Sequence, residues 1–262
     1  NGGAMTLTKS GNGTQVLTGN NTYTGATTIN GGILRISGAG SINTSSGITL
    51  NGGQLDYNSS VAMTAALTFT SGTLGGTNWT GSTLNNLTIG VGQAISPGNS
   101  PGTANTVDQE WANDGTYVFE VNNALGTAGA DPGWDLLLGT GTLDITATSG
   151  NPFVIQLTSL DLSNNPGLTA NFDDTQTYYW RMAEFSSITG FNVSDFSVND
   201  TDFDNPYTGT FSVQQGGTGS VPGTSNQLYL TYVPVPEPGA LALGALGIAG
   251  VAYAVRRRRA IA

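Results

Sequence analysis

Apolar side chains recur at every second position through much of the chain, in short runs broken by glycine and asparagine. Asn30-Gly31-Gly32 leads into Ile33-Leu34-Arg35-Ile36, and Asn51-Gly52-Gly53 into Gln54-Leu55-Asp56-Tyr57, so Leu34 matches Leu55 and Ile36 matches Tyr57. Asn1-Gly2-Gly3 stands before Ala4-Met5-Thr6-Leu7 in the same frame, which makes Met5 and Leu7 the expected equivalents of those pairs. A period of two is the spacing at which a strand presents one face. The Asn-Gly-Gly before each run predicts a turn, because glycine and asparagine tolerate positive φ. Separations of 29 and then 21 residues between the three frames suit coils of a solenoid better than a hairpin meander. Further strands are predicted at residues 13–19, 26–30, 47–51, 66–70 and 85–90.

Residues 1–235 contain no sustained apolar stripe at helical spacing, and Thr, Val and Ile are prominent in the apolar runs, so helices should be few. A parallel β-solenoid accounts for this pattern. One coil is too thin to bury its own apolar residues, but coils stacked about 4.8 Å apart line leucine over leucine and pair each backbone with the next. Asparagines aligned at the turns are then expected to form side-chain ladders. Residues 1–103 are assigned to this repeat region. Residues 104–232 hold further strand-like runs at 115–122, 134–146, 151–160, 177–185, 209–215 and 226–234, with turns at Asp131-Pro132-Gly133, Asn164 to Gly167 and Val221-Pro222-Gly223. They either continue the solenoid with wider coils or form a β-rich cap, which the exposed strand edges of an open solenoid end require.

Charge changes the picture in two ways. Charged residues are only 9% of the chain, so Asn, Thr, Ser and Gly must cover the surface. Residues 1–235 carry Lys9, Arg35 and Arg181 against 16 acids, a formal charge of −13, which argues against a nucleic acid partner. With neither cysteine nor histidine, the chain has no disulfide framework, no thiolate metal site and no imidazole base.

The remaining basic residues, Arg256, Arg257, Arg258 and Arg259, lie behind Gly239–Val255, 17 uncharged and mostly apolar residues. As a helix these span about 25 Å at about 1.5 Å per residue, the lower limit for crossing a bilayer, and the arginines form a cytoplasmic stop. Residues 233–238 are a linker in which Pro236 and Pro238 keep Glu237 extended and accessible. Residues 239–262 are then a transmembrane helix with a basic tail. The chain opens inside a repeat frame with no basic, apolar leader, which predicts a longer precursor.

Two segments resemble known families. Residues 7–36, with Leu-Thr-Gly-x-Asn-x-Tyr-x-Gly at Leu17 to Gly25, resemble the autotransporter-associated β-strand repeat, and ISPGNSPGT at 95–103 is similar to the turn that often follows it. That resemblance implies a right-handed parallel β-helix with a structural or adhesive role and no catalytic residue. The residues after Gly102 do not show the many alternating segments of a membrane β-barrel, so a self-secreting autotransporter is not expected. Pro236-Glu237-Pro238, the apolar helix and the basic end together resemble the PEP-CTERM sorting signal, which implies processing by an exosortase-type membrane enzyme.

Three groups are candidates for chemistry. Asp200, Asp202 and Asp204 are spaced as in a calcium loop, although Asn205 stands where glycine is usual and Phe211 where a bidentate Glu is expected; the alternative is a solvated turn. Asp131 and Asp135 suggest paired carboxylates for glycoside hydrolysis, or a plain turn. Tyr178, Tyr179 and Trp180 suggest sugar stacking, or ordinary packing. The expectation is a secreted, non-enzymatic structural or adhesive protein, anchored transiently in the inner membrane and then sorted to the bacterial surface or extracellular matrix. Its partners would be extracellular polysaccharide or copies of itself. The alternative is a polysaccharide-binding or polysaccharide-cleaving β-helix protein, which a groove with two or more convergent acids would favour.

Overall fold

The computed structural model describes residues 4–81, 84 and 86–236. The alternating runs become β1 (Leu7–Lys9), β2 (Thr14–Leu17), β3 (Thr27–Ile29), β4 (Ile33–Gly38), β5 (Ile48–Ser59), β6 (Leu67–Gly76), β7 (Asn86–Ile89) and β8 (Gln93–Pro97). They continue as β9 (Thr103–Thr106), β10 (Asp108–Trp111), β11 (Thr116–Val121), β12 (Thr127–Ala128), β13 (Gly133–Trp134), β14 (Leu136–Gly139) and β15 (Thr142–Ile145). The last are β16 (Phe153–Ser159), β17 (Tyr178–Glu184), β18 (Ser187–Thr189), β19 (Phe196–Asp202), β20 (Thr210–Gln215) and β21 (Gln227–Val233). Helix among the described residues is limited to a 3-10 turn at Val193–Asp195. No helix among them is long and apolar enough to cross a membrane.

Neighbouring strands pair mostly in parallel, in sheets of 12, 5 and 4 strands, an arrangement consistent with a β-solenoid. From β8 onward the chain visits the three sheets in a fixed order. It runs from β8 in the long sheet to β9 and β10 in the two shorter ones, returns at β11, leaves again through β14 and β15, and returns at β16, then β17, β18 and β19. Parallel pairing is the reason for the turns: strands that run the same way need a crossover, and here the other sheets supply it.

The N-terminal coils are narrow. Leu7, Thr27, Ile48 and Leu67 pair in succession, so these coils advance by 20, 21 and 19 residues. The later coils are about twice as wide: Tyr117 pairs with Ile155 and Ile155 with Val198. At the C-terminal end the parallel ladders give way to antiparallel pairing of β17 with β21 and of β21 with β20.

The frame at Asn1 is not equivalent to the later two. Leu7 pairs with Thr27 rather than with the run after Gly32, and Met5 is 70% exposed. The segment that stacks on Ile33–Ile36 is Thr14–Leu17, whose turn is Ser10-Gly11-Asn12-Gly13. The second and third frames do stack, Leu34 on Leu55 and Ile36 on Tyr57, with all four side chains fully buried. The turn of the second frame packs so closely on the turn before Thr14 that a Cβ on Gly32, at φ +60, would lie 2.3 Å from the Gly11 carbonyl oxygen. Only glycine fits there. The Lys9 ammonium covers this corner, donating to the carbonyls of Ser10, Gly11 and Gly31 at 2.9–3.0 Å. In the narrow coils Asn21 and Asn43 donate to backbone carbonyls of the neighbouring coil, whereas in the wide coils asparagines pair with one another, Asn171 donating to Asn123 Oδ1 at 2.9 Å and Asn122 to Asn164 Oδ1 at 2.7 Å.

One inward column runs the length of the stack. Leu34, Leu55, Leu74, Ile95, Tyr117, Ile155 and Val198 each pair with the next. The first six are fully buried, and Val198 packs against them from the last wide coil. In the wide part aromatic rings fill the larger interior, with Trp111 stacked on Phe153 at 4.6 Å between centroids.

Candidate functional site

Residues that alternate with the inward column point outward, and on the long sheet four of them pair in a row: Arg35, Asp56, Gly75 and Ser96. The row reads cation, carboxylate, gap and hydroxyl. Gly75 makes the gap, since a Cβ there would lie 2.3 Å from Asp56 Oδ1. Beside it a groove of about 480 Å³ opens between β4, β5 and the loop at Gly98–Ser100, with Glu120 of β11 on its far side.

The polar groups of this groove are unequally satisfied. Arg35 donates through Nε and Nη2 to Asp56 Oδ2 at 3.0 and 2.7 Å, and Gln54 Nε2 donates to Asp56 Oδ1 at 2.7 Å. Asp56 is therefore fully engaged. Asn58 is not: its Oδ1 is buried and accepts no hydrogen bond. Glu120 accepts a hydrogen bond from the Ser100 hydroxyl. Burial pushes its pKa up, the Ser100 bond opposes this, and the nearby Asp56 charge adds to the rise. Ser100 itself sits at φ 66, a left-handed conformation that side chains rarely adopt, and such strain concentrates at functional sites.

Asp135 fixes both walls of the groove from behind. Fully buried, it accepts the Gly102 N–H through Oδ1 at 2.8 Å and the Glu120 N–H through Oδ2 at 2.9 Å. Burial raises its pKa well above the usual carboxylate range, and Glu120 pushes it the same way against the pull of the two N–H groups. A folded-state pKa above the unfolded value means that the native protein binds more protons between the two. This contribution to stability is complete below about pH 4, where the unfolded carboxyls are protonated, and is lost as the pH rises through the folded-state values. Melting temperature is accordingly expected to be higher in mild acid than at neutral pH, and Glu120→Gln should flatten the slope. A melting temperature that rises from mild acid to neutrality would contradict these assignments.

The sequence-derived candidates are placed otherwise. Asp131 accepts from Asn122 and Asn164, both at 2.7 Å, and so does not share partners with Asp135. Tyr178 and Trp180 are buried in the aromatic interior, and Tyr179 donates to Ser220 at 3.2 Å. Asp200 and Asp202 end β19, where Asp200 accepts from the Tyr207 hydroxyl at 2.5 Å and Asp202 from Gln156 at 2.7 Å. The Asp200 bond holds the Tyr207 pKa up to about 12. Among the described residues no group of three or more acidic side chains gathers to hold a metal ion. Sequence reasoning missed Arg35, Asp56, Asn58 and Glu120. The only signal was the rarity of Arg35, one of three cations before the tail.

At the C-terminal end, β21 leads directly into Pro234, Val235 and Pro236, the last two exposed. Glu237, Pro238 and Arg256 to Arg259 lie outside the described residues, as does the expected membrane helix. A family model described as the PEP-CTERM protein-sorting motif matches residues 234–259. The chain carries a PEP-CTERM sorting motif. A second family model, the passenger-associated-transport-repeat, matches residues 7–36, the stretch that forms β1 to β4. No curated protein matches the chain. The PEP-CTERM motif implies an exported protein directed to the cell envelope or surface and processed by an exosortase-type membrane enzyme, and the repeat suggests a passenger-like domain.

Proposed function

We infer that the protein is a secreted, non-enzymatic structural or adhesive component of the bacterial surface or extracellular matrix. It is held in the inner membrane by residues 239–262 until an exosortase-type enzyme cuts near Pro236-Glu237-Pro238. The observation that carries this reading is the position of the sorting motif, which starts at residue 234 immediately beyond the last strand, with Val235 and Pro236 exposed. The solenoid, its coils winding with the right-handed crossover usual for parallel strands, is then a passenger with a surface of Thr, Asn, Ser and Gly.

Glu237 is the one charge between Val233 and Arg256, and so the natural handle for a membrane enzyme. Glu237→Ala is expected to leave full-length protein in the membrane fraction while the wild type is released, with both folding alike. Equal release of the two would overturn the reading. A second reading, a polysaccharide-binding protein, is favoured by one observation: a groove of about 480 Å³ lined by hydroxyls, carboxamides and charged groups, Glu120 among them.

A further inference from the structure

We propose that the groove between Arg35 and Glu120 binds an amino sugar unit in its protonated form. Asp56 already accepts three hydrogen bonds, from Arg35 and Gln54, so Glu120 is the carboxylate of the groove that has no cation beside it among the described residues.

Charge narrows the class. Asp56 and Glu120 line the groove, and Arg35, the cation among them, is already paired to Asp56. The excess is negative, which favours an ammonium over a neutral hydroxyl and disfavours uronates and phosphates. Shape narrows it further. The side chains lining the groove are hydroxyls, carboxamides and charges, without an aromatic or aliphatic wall, which suits a hydroxyl-bearing ring better than the hydrocarbon stem of a lysine. A volume of about 480 Å³ lies within the range of small-molecule sites, about 300–1,000 Å³. Gly75 leaves room for the Asp56 carboxylate, and Asp135 holds the backbone of Gly102 and Glu120, so the site is preformed.

The biological ligand, an amine-bearing surface polysaccharide, rests on the proposed surface location, but the binding does not. The test therefore uses the purified full-length protein and titration calorimetry at pH 6, with short oligomers of glucosamine, of N-acetylglucosamine and of galacturonate, and with calcium chloride. Glucosamine oligomers are expected to bind at least tenfold more tightly than the other two. Glu120→Gln and Gly75→Ala, each checked for an unchanged fold by circular dichroism, are each expected to weaken that binding tenfold or more. Absent glucosamine binding, equal affinity for the acetylated oligomer, preference for galacturonate, or affinity unaltered in both variants would each overturn the proposal. Calcium binding lost in Glu120→Gln, without sugar binding, would make the groove a cation site instead. Failure of release in Glu237→Ala cells bears on location alone and leaves this result untouched.

Discussion

Leu34→Asp is expected to cost several kcal/mol and to unfold the narrow coils around it. Leu34 is fully buried and stands in the inward column, paired to Gln15 on one side and Leu55 on the other. Its surroundings are the apolar core, so the new carboxylate would be desolvated without a partner. Domains of ordinary stability hold only about 5–15 kcal/mol in total, and in a stack each coil depends on its neighbours. The expected readout is a lower melting temperature together with loss of hydrogen-exchange protection at β3, β4 and β5. An unchanged melting curve would refute the stacking of Leu34 on Leu55.

Trp111→Ala should be of similar size and should act on the wide coils. Trp111 is fully buried, lies flat against Phe153, and meets Tyr117 and Phe196 edge-on at 5.8 and 6.2 Å. These rings come from β10, β11, β16 and β19, so one side chain ties three successive passes of the chain together. Its Nε1 also donates to Gln109 Oε1 at 2.9 Å, and Gln109 is buried. Truncation leaves a cavity and strips that acceptor, for an expected loss of about 3–5 kcal/mol in denaturant unfolding. Trp111→Phe keeps the stack and should lose less. A loss below about 1 kcal/mol for the alanine variant would mean that the aromatic cluster does not carry the wide coils.

How much of this was legible in the sequence depended on distance along the chain. Strands were legible because period-two alternation is local: the run at 151–160 became Phe153–Ser159 and that at 226–234 became Gln227–Val233. The run at 134–146 split at Gly139-Thr140-Gly141 into β14 and β15, which occupy different sheets. Pairing was less legible. The Asn-Gly-Gly before Ala4 shares letters with the later frames, yet hydrogen bonding stacks Thr14–Leu17 in that place, because register follows from the whole ladder and not from one turn. The strand predicted at 66–70 runs on in the structure as β6, through Gly72 and Gly75 to Gly76.

The groove was the least legible part. Asp56 and Glu120 are 64 residues apart, and only the stacking of four strands brings them to one face. Each alone looks like a solvated strand position. The Pro-Gly-Asn-Ser-Pro turn was read as a companion of the repeat, and in the structure it also supplies the wall that carries Ser100. The tail was the opposite case: its proline-flanked acid, apolar run and arginines are contiguous, so sequence alone exposed the motif that the family comparison matches at 234–259.

We infer that the residues after the motif are a sorting device and not part of the working protein. Intact-mass measurement of the protein recovered from the medium or cell surface tests it directly. A C-terminus near Pro236-Glu237-Pro238, with residues 239–262 gone, is the predicted result; a mature extracellular form that keeps residues 239–262 would contradict the account and make the tail a permanent anchor.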